Sequence, residues 1–213
     1  MQTEGRSQVS YGYLVPIVVK QTPRGERSFD IYSRLLEERI VFVGADIDDG
    51  LASSVIAQLL FLQGEDQTEP VNMYIMSRGG AVNAGLAIYD TMQYVRPPIH
   101  TWCVGQAASI AAVLLAGGEP GKRAALPSAK VVIHQPWVPS ISGAASDLEI
   151  HARELTRTRG QINEILAKHT GQTKEKIEHD TDRDFFMTAE EAVTYGIVDL
   201  VAEAMPVPVP QEE

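Results

Sequence analysis

The sequence contains a single cysteine, Cys103, in 213 residues. One cysteine excludes an internal disulfide and a metal cage of paired thiolates. No HExxH pattern and no P-loop occur, so neither a metalloprotease helix nor an ATP-binding loop is predicted. No run reaches the roughly 18 apolar residues of a membrane span, and the N-terminus MQTEGRSQVSYGY lacks the regions of a secretory signal. We therefore expect a chain of the reducing cytoplasm that holds no metal or cofactor.

Positive charge is also scarce. Lysine and arginine number 18 against 28 aspartate and glutamate, a net charge of −10. Nucleic acid and anionic lipid surfaces require a basic face, so both are excluded as predicted partners. The length favours one domain over residues 1–213, because two ordinary domains with a linker need more chain.

Strands and helices alternate from Ile40 onward, which predicts an α/β fold with mostly parallel strands. The predicted strands are RIVFVG, VNMYIM, HTWCVG and AKVVIHQPW, and helices follow the first three. Residues 1–28 predict a polar, flexible or hairpin-forming arm. Residues 146–169 predict one long amphipathic helix, and 205–213, with alternating prolines, an extended tail.

Ser109 lies among small residues at the head of the apolar run VGQAASIAAVLLAGG. It is either a small residue packed at a helix start or a nucleophile. A serine nucleophile needs a base, a group that orients the base, and donors for the oxyanion. Of five histidines, His134 is the best candidate base because it ends an apolar strand, where sites in parallel sheets are built. A hydrogen-bonded core histidine is the alternative interpretation.

The remaining two requirements have weaker signals. The acidic cluster EHDTDRD offers Asp180, Asp182 and Asp184, and spacing does not choose among them. In SRGGAVNAG, Gly79 and Gly80 lie between a predicted strand and helix, where backbone amides can hold an anion. A tight turn that requires glycine explains the same pattern. The amide of Ile110, next to Ser109, is a second candidate donor.

Together these segments resemble the proteolytic subunits of the Clp protease, the ClpP family, which are serine peptidases of the crotonase-like fold. The resemblance runs from about Tyr13 to Val201. The matching blocks are FDIYSRLLEERIVFVG, SRGGAVNAGLAIYDTMQYV, VGQAAS, GKRAALPSAKVVIHQP, DLEIHARE and HTGQTKEKIEHDTDRDFFMTAEEAVTYGIVD.

The resemblance implies roles for individual residues. Ser109 matches the nucleophile, His134 the general base and Asp184 the acid that orients it. Gly80 and Ile110 match the two positions whose amides form the oxyanion hole. The chain is then expected to cleave peptide bonds through an acyl-enzyme, without metal or cofactor.

The resemblance also implies an assembly. Two seven-membered rings, built from one or more kinds of subunit, stack around a chamber that degrades unfolded proteins to short peptides. Residues 146–169 are then the handle helix that joins the rings, and residues 1–28 shape the axial entrance. A hexameric ATPase unfoldase supplies the substrate and uses the ATP itself.

Three departures from the family pattern surround the predicted site. Arg78 replaces the proline before the glycine pair, and Ile110 and Ala111 replace methionine and glycine. The segment WVPSISGAAS, with Pro139, replaces a glycine-rich stretch. They suggest either altered specificity or a weakly active, structural paralogue that needs a partner ring subunit. A crotonase acting on an acyl-CoA is a third possibility, which would not need the serine, histidine and aspartate.

Overall fold

A computed structural model describes residues 15–22, 25–138 and 142–204. They belong to two compact units, one ending at Glu38 and the other beginning at Arg39. The first unit is a hairpin of β1 (Ile17–Thr22) and β2 (Gly25–Asp30) followed by helix α1 (Ile31–Glu37). The described part of the arm thus contains a hairpin, one of the two alternatives that the sequence leaves open. Residues 1–14 of that arm and the tail from 205 lie outside the described residues.

The second unit is built on a seven-stranded sheet. Its strands are β3 (Ile40–Val43), β4 (Val71–Ser77), β5 (Ile99–Ala108), β6 (Arg123–Ala125), β7 (Lys130–Ile133), β8 (Phe185–Thr188) and β9 (Leu200–Val201). The order is β3-β4-β5-β6-β9, and β7 pairs with the C-terminal part of β5. All pairings are parallel except that of β7 with β8, which is antiparallel.

The helices of the second unit are α2 (Asp49–Glu65), α3 (Val82–Tyr94), α4 (Ile110–Ala116), α5 (Ala145–Thr170), α6 (Lys174–Asp180) and α7 (Ala189–Tyr195). The predicted α/β fold with a mainly parallel sheet is therefore confirmed. α7 begins with a capping box formed by Thr188 and Glu191. The backbone amide of each residue donates to the side chain of the other, so neither amide lacks an acceptor. In the part of the chain that the structure describes, no helix has the length and apolarity needed to cross a membrane.

The helix predicted over 146–169 is α5. Its C-terminal half buries Ile162 and Leu166, and Gly171 ends it in the left-handed conformation. Leu148 and Ile150 in its N-terminal half are exposed. The helix is therefore anchored at one end and presents apolar side chains at the other.

Helix α4 lies in the core, with every side chain from Ile110 to Ala116 buried. Cys103 on β5 is fully buried, and burial raises the pKa of its thiol to about 12. The small residues around Ser109 therefore serve packing as well, as one of the two interpretations of the sequence predicts.

Candidate active site

Ser109 stands between the end of β5 and the start of α4 and has an unusual backbone conformation. Its φ of 58° and ψ of −129° are sparsely populated by residues other than glycine. Such conformations cost about 1–3 kcal/mol and concentrate at functional sites. The backbone amide of Ser109 donates to the carbonyl of Val132, 2.9 Å away, which fixes the serine beside β7. This strain is a functional signal that the sequence does not reveal.

The turn of Gly79 and Gly80 packs directly against this serine. A Cβ built on Gly79 would lie 2.7 Å from the Cβ of Ser109, and one on Gly80 would lie 2.2 Å from the carbonyl oxygen of Ile47. Both glycines have positive φ, 97° and 150°. Glycine is therefore required at both positions, by conformation and by space.

The turn is held by backbone hydrogen bonds that leave donors free. The amide of Ile47 donates to Gly79, and that of Ala81 donates to Ile47. The Gly80 amide has no backbone acceptor among the described residues. The Ile110 amide is the first of α4, and the first amides of a helix lack partners inside it. Of the two predicted oxyanion donors, the Gly80 amide thus lies in the turn and the Ile110 amide lies next to Ser109.

His134 follows β7 directly and is half-buried. Its Nδ1 lies 2.8 Å from the carbonyl oxygen of Gln135. A carbonyl only accepts hydrogen bonds, so Nδ1 carries the proton and, in the neutral ring, Nε2 is the free base. That is the tautomer a general base toward serine requires.

Asp184 and His134 are the first residues beyond the antiparallel pair of β7 and β8. The last registered pair of these strands is Ile133 with Phe185. Beyond it, the amide of Gln135 donates to the carbonyl of Thr181. Both residues line one cleft, and Asp184 is exposed.

Gln135 secures the segment that carries Asp184, a role not predicted from the sequence. Its amide donates to the carbonyl of Thr181 at 2.6 Å, and its Nε2 donates to the carbonyl of Asp182 at 2.8 Å. These two hydrogen bonds join the segment after His134 to the segment before Asp184. Nothing in a single glutamine after a strand indicates this.

The structure distinguishes the three candidate aspartates. Asp180 is almost buried and accepts hydrogen bonds from Lys176 and from the hydroxyl of Tyr195. Burial alone would raise its pKa, but these hydrogen bonds outweigh burial and lower it. Asp182 accepts from Gln135 and lies 3.9 Å from Arg159. Asp180 and Asp182 thus contact other side chains, and Asp182 and Asp184 both line the cleft that contains His134.

The other four histidines do not line the cavity that contains Ser109. His169 is within hydrogen-bond distance of the Tyr89 hydroxyl, and burial, with the cations Lys168 and Arg123, lowers its pKa to about 4. Burial also lowers the pKa of His100 on β5. His179 is exposed, and His151 lines a cleft next to Gly80.

Ser109 and His134 line the same small apolar cavity, with side chains from α4 and α5. Among the described residues, no group of three or more histidine, cysteine, aspartate or glutamate side chains could hold a metal ion. Ser109 thus shares a cavity with His134, His134 shares a cleft with Asp184, and the glycine turn packs against Ser109.

A comparison with protein families supports the same conclusion from sequence. The model of the Clp protease family matches residues 23–205. The chain belongs to the Clp protease family. Membership makes it a peptidase of the serine class with the crotonase-like α/β fold, and implies assembly into rings that work with Clp ATPases in general.

The departures from the family pattern at Arg78, Ile110 and Ala111 fall on described residues. Arg78 is exposed. Ile110 is buried against Gly85, where a Cβ would lie 2.1 Å from the Ile110 Cγ1, and Ala111 is fully buried. Pro139 lies outside the described residues.

Proposed function

We propose that this Clp family member is an endopeptidase that uses Ser109, His134 and Asp184 to cleave unfolded proteins into short peptides. The observation that carries the proposal is that His134 shares one cavity with Ser109 and one cleft with Asp184. This neighbourhood supports a joint role for three residues that are far apart in sequence.

In the proposed mechanism, Nε2 of His134 takes the proton of the Ser109 hydroxyl as its oxygen attacks the peptide carbonyl. The imidazolium then protonates the leaving amine, and water releases the acyl-enzyme by the reverse sequence. Asp184 takes over the Nδ1–H that the Gln135 carbonyl accepts in the isolated chain. A carboxylate stabilises the imidazolium far better than a neutral carbonyl does.

The amides of Gly80 and Ile110 are the proposed oxyanion donors. Both are backbone groups, so the replacement of methionine by Ile110 leaves the donor in place. A preorganised donor of this kind contributes on the order of 10² to 10³ in rate. The exposed Arg78 adds a cation beside this turn.

The proposed assembly is a double heptameric ring of identical or mixed subunits in the cytoplasm, fed by a hexameric ATPase that uses the ATP. In it α5 is the handle between rings and residues 1–28 shape the entrance. The exposed Leu148 and Ile150 support this use of α5, because exposed apolar side chains on a helix favour a partner surface. A single protease domain over 1–213 stays a prediction.

The test is to incubate the purified assembly with a fluorogenic peptide and with a serine-directed phosphonate. Wild type is expected to cleave the peptide and to be labelled at Ser109. Ser109→Ala is expected to lose labelling, with kcat lowered by a factor on the order of 10⁶. Ser128→Ala, which changes a serine outside the site, is the matched control.

The proposal is wrong if wild type neither labels nor cleaves when its ATPase and any paralogous ring subunit are supplied. Labelling only after a paralogous ring is added would instead identify a subunit whose site depends on its partner.

A further inference from the structure

Two clefts open next to the candidate site and share one wall. The first, of about 740 Å³, contains Gly80, and the second, of about 730 Å³, contains His134 and Asp184. The shared wall consists of Pro136, Trp137, Val138 and Leu155. A peptide that reaches Ser109 through either cleft therefore passes this wall.

Trp137 is the most exposed large side chain of the wall, with 69% of its surface accessible. No other ring stacks on it among the described residues. Tryptophan usually buries most of its surface and dominates contacts where it is exposed at a site. An open indole face beside the site is therefore a surface for a ligand side chain.

Two carboxylates, Asp49 and Glu154, line the cleft that contains Gly80, and no lysine or arginine is part of its described lining. The exposed Arg157, just outside this lining, lies 4.0 Å from Glu154. His151 is the other titratable group there. Asp49 lies in the first turn of α2 and Glu154 on α5, so the two carboxylates come from different elements of the cleft.

We propose that Trp137, Asp49 and Glu154 form a subsite for an arginine or lysine side chain of the peptide substrate. Tryptophan is the best aromatic partner for a cation, and a guanidinium binds carboxylates through several hydrogen bonds. An apolar side chain would also pack on Trp137, but it would desolvate the carboxylate of Asp49 without pairing it. The inference rests on the proposed peptidase function.

The test uses fluorogenic peptides that differ only in arginine or citrulline, a neutral isostere, at each of the three positions on either side of the cleaved bond. At one position the kcat/KM ratio of arginine to citrulline is expected to be about fivefold. The ratio should fall as salt is raised from 50 to 500 mM, because salt screens exposed charges.

Two variants locate the effect. Trp137→Ala, and Asp49→Asn combined with Glu154→Gln, are each expected to bring the ratio close to one, and Trp137→Phe to keep part of it. Glu65→Gln combined with Glu69→Gln removes the same charge outside both clefts and is expected to keep the ratio. A wild-type ratio of one at every position, or a ratio unchanged in Trp137→Ala, overturns the subsite.

A binding experiment separates this inference from the catalytic proposal. The same peptides, labelled with a dye, are titrated with the Ser109→Ala variant, and binding is measured by fluorescence anisotropy. Tighter binding of the arginine peptide supports the subsite even if wild type is not labelled by phosphonate. Equal binding of both peptides, with wild type fully active, disproves the subsite and leaves the peptidase proposal intact.

Discussion

Gly79 and Ser109 are packed so closely that a side chain at Gly79 would meet the serine, with 2.7 Å between the two Cβ atoms. The close approach of the turn to Ser109 thus depends on the absence of a side chain at Gly79.

Gly79→Ala is expected to lower kcat/KM by about 10² or more, because displacement of a reacting group by about 1 Å costs that much. Gly171→Ala is the matched control: Gly171 also has positive φ, at 74°, but nothing lies within 4 Å of a Cβ there. The control should lose about 1 kcal/mol of stability and keep its activity. Equal activity of the two variants in a peptide-cleavage assay would argue against the role of this contact.

Asp184→Asn is expected to lower kcat by about 10⁴, since an amide opposite the histidine no longer stabilises the imidazolium or selects its tautomer. Asp182→Asn, two residues away, should change kcat by less than about tenfold. Its amide oxygen can still accept from Gln135, so the segment stays tied. The comparison is made by steady-state cleavage of one peptide. A larger loss in Asp182→Asn than in Asp184→Asn would show that Asp184 is not the orienting acid.

Arg123→Met is expected to destabilise the fold by about 3–5 kcal/mol, because it leaves a partly buried carboxylate uncompensated. The guanidinium is only 8% exposed, pairs with Asp199 at 2.5 Å, and donates to the carbonyls of Ala116 and His169. Arg96→Met, at an exposed arginine, should cost about 0.5 kcal/mol. Urea unfolding at fixed protein concentration measures both, and similar midpoints would contradict the prediction.

His169 should make the fold sensitive to mild acid. Its pKa is lowered to about 4 from 6.5, first by burial and then by Lys168 and Arg123. Between pH 6.5 and 4 the unfolded chain binds a proton that the folded chain does not, so stability falls as the pH falls through this range. His169→Gln is expected to reduce this loss of stability, as measured by thermal melts at a series of pH values. His179→Gln, at an exposed histidine, should follow wild type, and the same slope in all three proteins would rule the effect out.

The elements of the fold were largely predictable because their signals are local. Runs of apolar residues predicted β3, β4, β5 and β7. The three-residue β6 was not predicted because it is too short to show a strand period. β8 was not predicted because its strand conformation depends on pairing with β7, about fifty residues earlier.

The candidate site was predictable in part. Ser109, His134 and the glycine turn stood out at the ends of predicted elements. Choosing Asp184 from the residues alone was not possible, because the choice depends on pairing β7 with β8 across about fifty residues of chain. The positive φ of Ser109 and the tie made by Gln135 likewise arise from tertiary contacts.

The buried Cys103 leaves the surface of this chain free of reactive thiols in practice, since its thiol is both inaccessible and protonated at neutral pH. A cysteine introduced at an exposed position, for example in place of Ser142, should therefore be the one site modified by a maleimide dye. A single fluorophore could then report substrate entry in real time without any further change to the protein.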